Sequence, residues 1–177
     1  MTHIRNIARE RLEAGELAIG MGVRQARSVD IGKIMKTCGY DWLFIDMEHG
    51  SMSVDDTVQI SIAAADAGIT PIVRVPGFQH FHATRVLDGG ALGVVFPHVD
   101  TAEIANELAN FCRYPPRGHR SVVGALPQID FRSLPVSEAT QAINNAVLVV
   151  VMLESPEAIE RVEEIAAVDG VDVLLVG

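Results

Sequence analysis

Several positions in this chain pair residue types that do acid–base or electrophilic chemistry with apolar neighbours that should bury them. "FIDMEHG" (44–50) ends an apolar run in Asp46, Glu48 and His49. Imidazole titrates near neutral pH, which makes His49 a candidate general base. The bland reading of a lone strand-end histidine is a loop or helix-cap residue. On a strand, Asp46 and Glu48 would share one face and His49 the other. A turn beginning near Met47 would break that alternation, so the carboxylate that faces inward is left open.

Arg74 stands inside "PIVRVP", where a guanidinium among apolar residues must meet an anion. That anion is either a structural carboxylate or a substrate carboxylate or oxyanion. Glu154 follows "VLVVVML", the most hydrophobic run in the chain. A carboxylate there is paired, protonated or bound to a divalent cation of the Mg/Mn class, unless it only belongs to the helix start in "SPEA". Weaker signals are Asp88 at the end of "RVLDGG", the loop pair His80 and His82 in "QHFH", and "RYPPRGHR" (113–120). The last reads most simply as a helix end rich in positive charge, stopped by a rigid Pro-Pro turn.

The elements that must position these residues recur along the chain. Short apolar runs lie at 17–22, 42–46, 71–75, 92–96, 147–153 and 171–177, and amphipathic stretches at 53–68, 81–90, 101–113 and 155–170. The wide gap between Phe96 and Val147 leaves room for one more short strand, "HRSVVG" (119–124), and a loop. Alternating strands and helices imply parallel strands with right-handed crossovers. Polar residues collect just after successive strands: Asp46 to His49, Arg74, His98 and Glu154. In a closed barrel those strand ends converge on one site, whereas in an open sheet they would spread along an edge. "GMGVRQARS" also lacks the glycine spacing of a nucleotide loop. The expected fold class is therefore α/β, a single (β/α)8 TIM barrel domain over 1–177. A complete barrel needs about 250 residues, so its last strand and helices are expected to be absent from these 177 residues.

Composition bounds the partners. Hydrophobic residues make up 49% and aromatics only 5%, with mean hydropathy +0.25, which suits an aliphatic core around a parallel sheet. A net charge of -9 and pI near 5.0 argue against nucleic acid and anionic membrane as partners. No apolar run is long enough to cross a bilayer, and the charged N-terminus is no signal peptide. Cys38 and Cys112 read as two buried, reduced thiols, and the expected location is cytoplasmic.

Taken together, "FIDMEHG", "IVRVP", "RYPPRGHR" and "MLESPEA" resemble the metal-dependent (class II) pyruvate aldolases of the 4-hydroxy-2-oxoheptanedioate and 2-dehydro-3-deoxyglucarate aldolase type. The resemblance runs from about residue 5 to the end. It implies a barrel that cleaves 4-hydroxy-2-oxo acids to pyruvate, or a similar 2-oxo acid, plus an aldehyde, using a divalent metal ion (Mg, Mn or Co). It implies a homo-oligomer. By matching positions, His49 resembles the catalytic base, Asp88 the acid that hydrogen-bonds that histidine, and Arg74 the residue that binds substrate and stabilises the enolate. Glu154 resembles one of two metal carboxylates, and the other, an Asp, would fall beyond Gly177. Met152 stands where several members carry a glutamine near the substrate, which also leaves a plain core role open for it. Asp46 and Glu48 are secondary candidates that order water or hold the loop.

The residues themselves agree with this chemistry. A retro-aldol cleavage needs a base and shelter for an enolate, and the only lysines, Lys33 and Lys36, lie in a polar helical stretch, which disfavours a Schiff base. Two other readings compete. One is a citrate-lyase-β-like acyl-CoA lyase, which should bind CoA. The other is a non-catalytic truncated barrel with a role in assembly.

Overall fold

The structure is a computed structural model that describes residues 2–177. Six strands run parallel and pair in chain order. They are β1 (Gly20–Val23), β2 (Trp42–Asp46), β3 (Thr70–Arg74), β4 (Gly93–Phe96), β5 (Leu148–Leu153) and β6 (Val173–Val176). Among the described residues eight α-helices accompany them: α1 (Ile7–Glu13), α2 (Ile31–Thr37), α3 (Val54–Asp66), α4 (His80–Asp88), α5 (Ala102–Cys112), α6 (Val136–Ala146), α7 (Pro156–Glu160) and α8 (Val162–Ala166). Among the described residues β1 and β6 form the two edges, so the sheet is a curled half-barrel.

Strand alternation divides the core into two layers. Leu43, Ile45, Val73, Val94, Phe96, Val149, Val151 and Leu153 point outward into the larger cluster beneath the helices. Trp42, Phe44, Ile72, Val95, Leu148, Val150 and Met152 line the concave face. Asp46 and Arg74 have the parity of this concave set, so the strand pattern itself aims them inward.

The helices begin where the sequence chemistry expects. Ser53 and Asp56 form a capping box at α3, the Ser53 hydroxyl accepting from the Asp56 amide at 3.1 Å and the Asp56 carboxylate accepting from the Ser53 amide at 3.1 Å. Such caps are worth about 1 kcal/mol. Ser155 caps α7 in the same way, accepting from Ala158 at 3.0 Å.

Several expectations are corrected. "HRSVVG" (119–124) is not a strand: β4 pairs directly with β5, Phe96 opposite Val151, and Val122 and Val123 lie exposed. The gap instead holds α6. The helix buries only Ile143, Asn144 and Ala146, and Asn144 spends its amide on both backbone groups of Tyr114. The first strand starts at Gly20, not Leu17, which is exposed. The stretch 155–170 is two short helices broken at Arg161, whose ψ of 16° is not helical. Cys38 is exposed at the end of α2, and only Cys112 is buried.

The N-terminal end of the sheet is closed by α1. The Asn6 amide donates to the carbonyls of Leu92 (3.0 Å) and Ala146 (2.7 Å), and the Ala8 amide donates to the Thr70 hydroxyl at 3.2 Å. Arg9 and Arg113 both reach Asp172 beside them. Fully buried Arg113 also donates to the carbonyls of Asn144 (2.7 Å) and Val147 (2.8 Å). "RYPPRGHR" is thus a structural buckle. No helix among the described residues is long and apolar enough to cross a membrane.

Candidate active site at the strand ends

The register of β2 and β3 sets Asp46 beside Arg74. The guanidinium donates to both carboxylate oxygens, Nε to Oδ1 at 3.0 Å and Nη2 to Oδ2 at 2.6 Å. Its third nitrogen, Nη1, pairs with Glu48 Oε2 at 2.8 Å and lies 3.9 Å from Met152 Sδ. The Arg74 head also stands 5.2 Å from the Phe44 ring centre, within cation–π range. The turn after β2 brings Asp46 and Glu48 to the same cation, because Asp46 Oδ1 accepts the amides of Glu48 (3.0 Å) and His49 (3.1 Å).

Charge follows this geometry. Burial alone would raise the Asp46 carboxyl, but the Arg74 guanidinium and the two turn amides outweigh it and hold the group below the usual carboxylate value. Burial works against the Arg74 charge too, and Asp46 and Glu48 reverse that and raise it. Arg74 is therefore an obligate cation at the mouth of an apolar concavity.

His49 stands at the rim with its side chain 59% exposed and Nε2 3.7 Å from Glu48 Oε2. Arg24, from the turn after β1, donates to the His49 carbonyl at 2.9 Å and lies 3.5 Å from Asp46 Oδ2. Glu154, at the end of β5, accepts the His98 amide on Oε2 at 2.9 Å. The His98 ring, at the end of β4, stands between carboxylates: Nδ1 is 3.2 Å from Glu154 Oε2 and Nε2 is 3.3 Å from Glu48 Oε1. Strands β2, β3, β4 and β5 thus each send a charged or ionisable group to one place.

This donor set suits a hard divalent cation. Mg and Mn take oxygen ligands and keep several waters, so one or two carboxylates are enough to anchor them. Glu48 Oε2 is a buried anionic oxygen with no hydrogen bond of good geometry, despite its ion pair to Arg74. Glu154 Oε1 is not engaged in any of the contacts that hold Oε2. Among the described residues no three His, Cys, Asp or Glu side chains converge into a complete cage. Glu154 would hold the ion.

Residues 24–177 match the family model described as HpcH/HpaI aldolase/citrate lyase. The chain belongs to this family. It is 39% identical to a 4-hydroxy-4-methyl-2-oxoglutarate aldolase of Hapsidospora irregularis, across 100% of this chain and 66% of the relative. It is 41% identical to a similarly named aldolase of Chaetomium globosum, across 93% of this chain and 62% of the relative. The solved HpcH/HpaI aldolase of Desulfitobacterium hafniense DCB-2 shares the fold at a TM-score of 0.92 and 30% identity, covering 98% of this chain and 66% of that one. The chain therefore spans a little under two thirds of the length of these HpcH/HpaI relatives.

At these strand ends the structure gathers His49, Arg74, Glu154, Asp46, Glu48 and Met152. Met152 lies on the concave face near the Arg74 head and is buried, so it belongs to both core and site. Asp88 is not brought to them. It ends α4 and so lies toward the N-terminal ends of the strands, where it pairs with buried Arg120 at 2.5 Å; its expected hydrogen bond to His49 is not made within one chain. His80 and His82 sit in the first turn of α4, not in a loop, and their i, i+2 spacing puts them on different faces of that helix. In the sequence His98 shows only as one of several strand-end polar residues, with nothing to place it in the site. Arg24 gives no sequence signal, because its role depends on a loop-to-loop contact that leaves no period.

Proposed function

We propose that the chain carries the larger part of a divalent-metal-dependent aldolase that cleaves 4-hydroxy-2-oxo acids to pyruvate, or a similar 2-oxo acid, and an aldehyde. Its six strands are read as the first six of an eight-stranded (β/α) barrel, in one domain. The observation that carries the reading is Arg74, held by Asp46 and Glu48 at the same strand ends as His49 and Glu154. The names of the aldolase relatives support it.

The reaction removes the proton of the 4-hydroxyl, breaks the C3–C4 bond and leaves the electron pair as the enolate of the 2-oxo acid. His49, exposed at the rim, is placed to take that proton directly or through a water. Arg74, fixed in orientation by its two carboxylates, presents a permanent positive charge for the enolate oxygen. Glu154 would hold a divalent ion, which when bound would supply Lewis-acid polarisation of the 2-oxo group. Protonation of the enolate at C3 then gives the 2-oxo acid. The apolar concave wall, from Phe44 to Val150, lies below the reacting end.

The test is pyruvate release from a 4-hydroxy-2-oxo acid by the intact protein, with Mg, Mn or Co added in turn. Activity should vanish with EDTA and return with the metal. Full activity after EDTA treatment would refute the metal-dependent reading. A homo-oligomer with sites near subunit boundaries, and a cytoplasmic setting, are part of the same proposal and are checked by solution mass and by fractionation.

A further inference from the structure

His98 has a backbone conformation and a set of contacts that the proposed reaction does not explain. Its φ is 55°, in the left-handed region that residues with a β-carbon adopt rarely and at a cost. The ring is 64% exposed, so core packing does not account for holding it there. The local turn does have a visible result. Val99 returns to the sheet by donating to the Met152 carbonyl at 3.0 Å, and the His98 amide is swung onto Glu154 Oε2 at 2.9 Å.

The ring then completes a bridge. Nδ1 stands 3.2 Å from the same Glu154 oxygen, and Nε2 stands 3.3 Å from Glu48 Oε1. Both contacts to Glu154 fall on Oε2. The other oxygen, Oε1, faces the end of β6, 3.2 Å from where a β-carbon on Gly177 would stand. A free carboxylate would rotate about its last torsion, since such terminal torsions are broad. The His98 amide bonded to Oε2, with the ring standing beside the same oxygen, restrains that rotation and presents the other oxygen in a fixed direction.

We propose that His98 is a positioning residue for the metal carboxylate: its amide and ring lock Glu154 Oε2, aim Oε1 at the cation, and tie Glu48 to the same assembly. Neighbours that orient metal ligands in this way typically change metal affinity by 10–100-fold when removed. The inference rests on the reading of Glu154 as a metal anchor.

The experiment is Mn2+ affinity of the intact protein without substrate, read from the loss of the free-ion EPR signal. His98→Ala should weaken binding about tenfold. His98→Gly keeps the left-handed backbone and its amide without the ring, avoids the strain of alanine there, and should also weaken binding. His98→Asn accepts the same backbone and offers a side-chain amide donor, so it should restore affinity to within about threefold. Wild-type Mn2+ affinity in both H98A and H98G, with thermal midpoints unchanged, overturns the role of His98 alone. A wild-type protein that binds no Mn2+ overturns the metal anchor itself, and the inference with it.

Discussion

Asp46 and Arg74 are register partners on neighbouring parallel strands, and their side chains meet in a two-pronged contact of 3.0 and 2.6 Å. The pairing is therefore written twice, once in the sheet and once in the side chains. It turns an arginine that would be costly in a buried strand into a fixed cation at the site.

Removing that cation should harm both stability and activity. Arg74→Ala leaves Asp46 and Glu48 buried without their partner, a loss of about 3 kcal/mol in unfolding free energy. Turnover should fall by about a hundredfold or more, since a developing oxyanion loses its fixed partner. Urea unfolding and steady-state kinetics on the same preparation check both. A variant that keeps its stability but loses turnover would show that the pair with Asp46 contributes little to the fold.

Asp46 sets a pH dependence with a defined sign. Its folded carboxyl is held below its unfolded value, so the stabilisation is fully present above the ordinary 3.8 and is lost as pH falls through the lower folded value. The stability gap between wild type and Asp46→Asn should thus stay constant from about pH 8 to 5 and narrow only below about pH 4. Denaturant midpoints measured across that range decide it; a gap that closes between pH 7 and 5 contradicts the assignment.

His49 should separate chemistry from folding. Its side chain is mostly exposed and makes one long contact to Glu48. His49→Asn should leave the thermal midpoint almost unchanged while lowering kcat by about 10²-fold or more, the usual worth of a general base. Unimpaired kcat would remove His49 from the mechanism.

The two cysteines should respond differently to alkylation. Burial pushes the Cys112 thiol up to about 12, while Cys38 lies exposed. Native protein should take up one iodoacetamide, at Cys38, and denatured protein two, as read by intact mass. Rapid double labelling without denaturant would show that the layer over Cys112 opens.

The parts legible in the sequence were those with a strong local signal. Apolar runs bounded by Gly, Ser and Asp gave five of the six strands nearly in place, and the Ser53 cap located α3. Asp46, Glu48, His49, Arg74 and Glu154 were legible because a charge next to a buried strand demands an explanation. What stayed hidden depended on contacts between distant segments. The helix α6 buries an asparagine where its pattern needed an apolar residue, and Asn144 is satisfied only by Tyr114. Asp88 was expected beside His49 by resemblance alone, yet its partner in this chain is Arg120, an ion pair that no spacing announces. His98 showed its place only once the turn after β4 had bent back over β5.

The helix that shuts the base of the sheet has a consequence for the order of events at synthesis. Asn6 waits for Ala146, and Arg9 waits for Asp172, residues made 140 and 163 positions later. Closing such long loops is slow, and its entropy is lost before the contacts return anything. Helix α1 is thus among the last elements to find its seat, although it is made before the partners it needs, and through that interval the apolar concavity lies open at its base.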